Sequence, residues 1–238
     1  MKIALLGYGK MGQEIEKAAV ERGHTIALVI DIKNQNEFTK ENLLKAEVAI
    51  DFSTPSSAVK NILKCFEAGI PIVSGTTGWN SELERITSIC TEKRQALIHS
   101  PNFSIGVNIL FAVNEYLAGI MNKFSQYDVR MEETHHIQKL DAPSGTAIRI
   151  AEQIISRIDR KTGWTLKDND GPEKISVNAI REGDIKGIHE ICYDSDVDII
   201  TLKHFTKSRK GLALGAVLAA EFIKGKKGVF TMRDMLGM

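Results

Sequence analysis

Lys2-Ile3-Ala4-Leu5-Leu6-Gly7-Tyr8-Gly9-Lys10-Met11-Gly12 opens the chain with a short apolar run that ends in G-x-G-x-x-G. The run reads as a buried strand. The glycines after it allow a tight turn, close approach of the backbone to a pyrophosphate, and packing of the following helix against the strand. An amphipathic stretch at 9–22 fits that helix, and a second apolar run at Thr25–Ile30 ends at Asp31. Asp31 lies nineteen positions past Gly12, close to the separation of about 20 expected for a carboxylate that binds a ribose. A plain strand-turn-helix with a solvated Asp31 is the bland alternative. The strand before, the helix after and the acid beyond favour a dinucleotide site.

Working outward, further strands are predicted at 48–52, 71–74 and Ala96–His99, with helices at 40–44, 56–68 and 81–93. Buried runs of four to six residues alternating with helices indicate a doubly wound parallel sheet, an α/β architecture of Rossmann type. Two turns follow strand ends, where ligands of such sheets gather. One is Gly75-Thr76-Thr77-Gly78 and the other Ser100-Pro101-Asn102-Phe103-Ser104. An acid at 31 favours the ribose hydroxyl of NAD and repels the 2′-phosphate of NADP. Lys10 and Lys33 could soften that repulsion, which leaves both dinucleotides open.

The chain has 238 residues, 43% hydrophobic and 26% charged, and a net charge of +1. That length suits one large domain or two small ones, and the charge gives no electrostatic footprint for nucleic acid or an acidic membrane. Cys65, Cys90 and Cys192 are odd in number and far apart. They read as reduced structural thiols of a cytoplasmic protein. The N-terminal apolar run is too short for a signal peptide, and the longest later one, 212–223, is broken by Gly215 and Glu221. No membrane span is expected.

Beyond Asn102 the pattern changes. A long helix is predicted at 105–124, a strand at 127–134, and a helix from Ser144 to about Arg160 with Ile148, Ala151, Ile154, Ile155 and Ile158 on one face. A polar break at 167–173 precedes three strands at 175–181, 188–193 and 197–204, and their turn-rich links predict antiparallel pairing. The Ala-rich helix at 212–223 could return to the first domain. The expected division is a dinucleotide-binding domain of 1–103 and 213–238, and a substrate-binding and oligomerisation domain of 104–212.

Glu133-Thr134-His135-His136-Ile137-Gln138-Lys139-Leu140-Asp141-Ala142-Pro143-Ser144-Gly145-Thr146-Ala147 carries the chemistry. Histidine moves protons near neutral pH, and lysine can hold a negative group. The Pro-Ser-Gly-Thr run offers free N–H groups at a helix start, an anion site. Acid–base chemistry on a small carboxylate follows. Taken alone, the histidines could equally be a strand-end pair and Lys139 a solvated charge. Glu133 reads as an orienting carboxylate, His189 and His204 as sheet residues, and Arg209 as part of a solvated charge run. No metal-ligand spacing is found, so no metal is expected and no cluster is expected to seat one.

The block E-x-H-H-x-x-K-x-D-A-P-S-G-T-A closely resembles the signature of the dihydrodipicolinate reductase family. The likeness continues through Gly75-Thr-Thr-Gly78, Asn102-Phe-Ser104, Arg181-x-Gly-Asp-x-x-Gly-x-His189 and Met232-Arg-Asp-Met-Leu236. The resemblance implies NAD(P)H-dependent reduction of 4-hydroxy-tetrahydrodipicolinate, through dihydrodipicolinate, in the diaminopimelate route to lysine. It also implies NADH and/or NADPH as cofactor, a C-terminal α+β domain with an open mixed sheet, and a homotetramer. Carried over residue by residue, it makes His135 and Lys139 the proton carriers, with Lys139 also holding the substrate. His136, Ser144, Gly145 and Thr146 become its binding residues. Cofactor contacts fall on Gly7, Tyr8, Gly9, Lys10, Met11, Gly12, Asp31, Gly75, Thr76, Thr77, Ser100, Pro101, Asn102 and Phe103. Many members have G-x-x-G-x-x-G where this chain has G-x-G-x-x-G, and an acid followed directly by a basic residue where Asp31 is followed by Ile32. Two rivals remain: another dehydrogenase of this architecture, such as an aspartate or homoserine dehydrogenase, and a nucleotide sensor without chemistry.

Overall fold

The opening apolar run forms β1 (Lys2–Leu6), with its last four residues buried, in a computed structural model that describes residues 1–167 and 170–238. Alternation of strand and helix continues through α1 (Lys10–Glu21), β2 (Thr25–Ile30), α2 (Lys40–Leu43), β3 (Val48–Asp51), α3 (Pro55–Ala68), β4 (Ile72–Ser74), α4 (Leu83–Glu92) and β5 (Ala96–His99). Short 3-10 segments at Ile32–Glu37 and Asn80–Glu82 were not expected from the periodicity. Pro55 at the first turn and Gly69 in the left-handed region mark the start and stop of α3.

A second unit, Gly106–Ser208, takes in most of α5 (Ile105–Met121), then β6 (Asp128–His135), α6 (Gly145–Ile155), β7 (Gly163–Thr165), β8 (Lys174–Arg181), β9 (Ile188–Asp194) and β10 (Ile199–Phe205). The chain then returns to the first unit, Met1–Ile105 with Arg209–Met238, through α7 (Lys210–Ile223), β11 (Gly228–Phe230) and α8 (Met232–Leu236).

The first unit holds six parallel strands in the order β11-β5-β4-β3-β1-β2. Buried runs such as Val48–Asp51 suit this sheet because helices cover both faces. On one face Leu43, Ile62, Phe66 and Ile86 pack on Ala4, Leu6, Ala49 and Leu97. On the other Ile15, Ala19, Ala213, Val217 and Ala220 pack on Ile3, Leu5, Val48 and Val73. The winding direction reverses between β1 and β3, so a crevice opens beyond their carboxyl ends.

The second sheet is mixed, in the order β10-β9-β6-β8-β7. Helices α5 and α6 cover one face, with Phe111, Met121, Ile150 and Ile154 against Val129, Met131, Val177 and Tyr193. The expected fold class, a Rossmann-type sheet plus an open mixed sheet, is borne out. Antiparallel pairing holds for β9 with β10 but fails for β8, which runs parallel to β6 and does not pair with β9. The link after β8 crosses the end of β6 instead of closing a hairpin: Glu182 N–H donates to His135 O (2.7 Å) and Ile137 N–H to Gly183 O (3.2 Å). This puts β6, with its buried Val129, Met131 and Glu133, at the centre of the sheet. Two helices also end early, at Met121 and Ile155, although Ile158 stays buried in the turn beyond. The polar break at 167–173 falls partly outside the described residues. Among the described residues no helix is long and apolar enough to cross a membrane.

Candidate active site

In the first unit Gly7 follows β1 at φ +92°, and its N–H donates to Ile30 O (2.8 Å). A Cβ here would stand 2.2 Å from Phe52 O, and one on Gly12 2.4 Å from Gly7 O. Only glycine permits this turn, which brings bare backbone to the start of α1. Gly9 is the residue before the helix, and Lys10 and Met11 lie in its first turn. Tyr8, whose hydroxyl bonds Glu16, lines with Gly7, Gly9, Asp31 and Ser53 a groove of about 410 Å³, a size that suits a small-molecule site. The residues present therefore fit a dinucleotide.

Asp51, fully buried at the end of β3, organises the neighbouring turns. Its carboxylate accepts from Ser53 Oγ (2.7 Å), Asn61 Nδ2 (2.8 Å), Ser74 Oγ (3.1 Å) and Thr76 Oγ1 (2.7 Å). Burial pushes its carboxyl up against those hydrogen bonds. Thr76 is thereby pinned, Gly75 packs on the Phe52 ring, and Thr77 stays exposed. Ser100 Oγ donates to Asn102 O (2.8 Å) and Asn102 Oδ1 accepts from Ser104 N–H (2.8 Å), shaping the turn that contains exposed Pro101. Phe103 departs from the others: its ring is 1% exposed in the core, 5.9 Å from Phe52, so only its backbone can meet a ligand.

In the second unit β6 ends on Glu133, Thr134 and His135, all buried. Sheet register sets Glu133 opposite His189 of β9 and His135 opposite Arg181 of β8. Glu133 Oε1 accepts from Ser144 N–H (3.0 Å) and Arg181 Nη2 (3.0 Å). Its Oε2 lies 3.5 Å from His135 Nδ1 and 3.7 Å from His189 Nε2. Ser144 is the N-cap of α6: its Oγ accepts from Ala147 N–H (3.2 Å) and meets His189 Nε2 at 3.2 Å. Gly145 and Thr146 form the first helical turn, whose N–H groups have no partner within the helix.

Desolvation lowers the pKa of His135, and Glu133 opposes the shift. Desolvation also pulls His189 down to about 4. Lys139 reaches Asp141 Oδ1 and Oδ2 (2.8 Å each), and this bond lowers the Asp141 carboxyl. His136 is half-buried, and its Nδ1 is buried with no hydrogen-bond partner among the described residues. The structure thus gathers His135, Lys139, Ser144, Gly145 and Thr146 around one strand end.

Sequence reading missed His189 and Arg181 as members of this cluster. It also expected no metal-type grouping. That expectation is overturned, since ligand atoms of Glu133, His135 and His189 all lie within 4.8 Å of one another. The cause is cross-strand register, which places residue 189 beside 133 whatever their separation in sequence. Arg181 already supplies a cation to the same carboxylate.

The chain matches two family models along nearly all its length. They are "Dihydrodipicolinate reductase, N-terminus" over residues 1–103 and "Dihydrodipicolinate reductase, C-terminus" over residues 106–236. It is 47% identical over 236 residues to a 4-hydroxy-tetrahydrodipicolinate reductase of Christiangramia forsetii, covering 99% of this chain and 98% of that one. A reductase of the same name from Archaeoglobus fulgidus is 34% identical over 261 residues, covering 99% and 100%. The fold is similar to that of the dipicolinate-bound dihydrodipicolinate reductase of Paenisporosarcina sp., with TM-score 0.80, 23% identity and 97% of each chain covered.

Proposed function

The chain belongs to the dihydrodipicolinate reductase family, and from that premise we propose which of its residues carry the reaction. It is an NAD(P)H-dependent oxidoreductase that reduces 4-hydroxy-tetrahydrodipicolinate to tetrahydrodipicolinate in the diaminopimelate route to lysine. The first unit is the dinucleotide-binding domain and the second binds substrate. When bound, the reduced nicotinamide supplies the hydride.

Glycines 7, 9 and 12 admit the pyrophosphate to the start of α1, and Asp31 takes a ribose hydroxyl. The turns Gly75-Thr76-Thr77 and Ser100-Pro101-Asn102-Phe103 line the nicotinamide side. Ser144, Gly145 and Thr146 grip one substrate carboxylate through the positive end of α6. Lys139 leaves Asp141 to hold the substrate's negative charge, and half-buried His136 contacts the ring. Loss of the 4-hydroxyl as water leaves a conjugated imine; hydride addition to its ring carbon gives an enamine, and His135 then gives its proton to the adjacent carbon. Burial lowers the His135 pKa without substrate, whereas a dicarboxylate brought alongside favours its protonated form. Substrate binding and proton loading are thereby linked.

The observation that carries this reading is the shared carboxylate of Glu133. Through Oε1 it fixes the helix start that grips an anion, and its Oε2 faces the imidazole that moves a proton. A homotetramer in the cytoplasm completes the proposal. It is supported by the apolar side chains that β10 leaves exposed and by three free, buried cysteines.

The test follows NADH and NADPH absorbance while the upstream synthase generates the cyclic substrate in the same cuvette. Wild type should oxidise cofactor rapidly. His135→Gln and Lys139→Met should each lower turnover by about 10²–10⁴ at retained cofactor affinity. Tight cofactor binding without oxidation would turn the assignment towards a sensor.

A further inference from the structure

We infer that His189 is a positioning residue for this reaction, joining the proton donor to the carboxylate cradle; the inference rests on the reductase reading above. Its ring is 4% exposed and stands edge-on to His135, with centroids 5.1 Å apart at 71°. Two groups approach its Nε2: Ser144 Oγ at 3.2 Å and Glu133 Oε2 at 3.7 Å. The nearby carboxylate favours the tautomer with the proton on the nitrogen that faces it. The Nε2–H of His189 therefore points between the cap of α6 and the carboxylate that faces His135.

Each contact has a consequence at the reacting atoms. Ser144 Oγ accepts from Ala147 N–H and so fixes the first turn of α6, where Gly145 and Thr146 present their amides. Glu133 Oε2 has no hydrogen bond among the described residues and lies between two imidazoles. With His189 in place the oxygen faces two rings rather than one. Without it, His135 Nδ1 is the one close donor left, and the proton donor is bound more tightly to its own carboxylate.

Backbone space supports a fixed ring position. Gly187, at φ +155°, would with a Cβ stand 3.1 Å from His135 Nε2, so glycine here leaves room beside the reacting nitrogen. The charged and titratable groups facing His135 are Glu133 on its own strand, Arg181 on β8, and Lys139 and Asp141 on the following loop, with the His189 ring of β9 against its own. His189 in turn faces His135, Glu133, Lys139 and His204 of β10. Of these only His189 touches both Ser144 and Glu133 through one atom.

The test compares His189→Leu, His189→Gln and His189→Asn with wild type. The readouts are kcat/KM against pH, affinity for dipicolinate, and affinity for NADH. In His189→Leu, kcat/KM should fall at least tenfold and dipicolinate affinity should weaken, with NADH affinity kept. The alkaline limb of kcat/KM should move to higher pH, since Glu133 then holds the His135 proton alone. A glutamine amide reaches the place of Nε2 and should restore most of both properties. Asparagine reaches only the place of Nδ1 and should not.

A purely structural His189 would lower the melting temperature but leave the pH limb and dipicolinate affinity of the folded fraction unchanged, and that result overturns the inference. If the leucine variant does not fold, the glutamine–asparagine pair decides, and wild-type behaviour in both sinks the idea. A wild type that never oxidises cofactor with the cyclic substrate removes the underlying reductase reading instead, and His189 with it.

Discussion

On the proposed placement of the ribose, Asp31 would carry the choice between the two nicotinamide cofactors. Its carboxylate accepts from Ile32 N–H (2.8 Å) and its own N–H donates to Asn34 Oδ1 (2.7 Å), which fixes an anion at the lip of the groove. Neither lysine nor arginine is among the groove's lining residues. A 2′-phosphate there meets a fixed carboxylate with no cation from the groove to offset it, so NADH should bind more tightly. The expected margin is at least tenfold in Kd, about 1.4 kcal/mol, and Asp31→Ser should narrow it. Equal affinities by fluorescence titration would mean that Lys10 or Lys33 reaches the phosphate after all. At this scale, motif spacing made Asp31, His135 and Lys139 visible because each sits within a short local pattern. His189 and Arg181 were visible only as sheet residues or as part of a resemblance. They reach Glu133 across strands, from 56 and 48 positions away.

The helix α7 shows how an element is specified by what it leaves out. Its buried side is Ala213, Gly215, Ala216, Val217, Ala219, Ala220 and Ile223, mostly small residues that let the backbone lie against its surroundings. A Cβ on Gly215 would fall 1.7 Å from Phe103 O, inside the turn that follows β5. Gly215→Ala should therefore destabilise the first unit by about 1–3 kcal/mol or more, as other overpacked sites do. It should also weaken NADH binding by shifting the 100–104 turn. Urea unfolding checks the first effect and fluorescence titration the second; an unchanged midpoint would show that α7 can move away freely. The helices and parallel strands of this unit were legible because 3.6-residue and continuous apolar patterns are local. The pairing of β8 was not. Turn residues at 182–184 suit a hairpin as well as they suit a crossing, and only the demand of β6 for partners on both edges decides between them.

For the whole molecule the informative surface is the outer strand of the mixed sheet. β10 pairs with β9 on one edge, and among the described residues its other edge has no strand beside it. Ile199 and Phe205 are 56% and 53% exposed, and Val197 and Ile200 add to the apolar surface. A protein that stayed monomeric would gain nothing from a long apolar edge strand and would risk aggregation through it. Association of copies through these sheets removes both costs. Under the proposed homotetramer, light scattering should give about four times the 26.4 kDa of one chain. Phe205→Glu with Ile199→Lys should reduce that mass, because charges placed on an apolar contact lose hydration without gaining partners. Because β10 also carries His204, which faces His189, disassembly should reach the active site and lower kcat/KM while NADH affinity, set in the other unit, is kept. A single-chain mass for the wild type would leave the exposed strand without this explanation. Full activity in a disassembled variant would show that the second unit holds its proton donor without help from neighbouring copies.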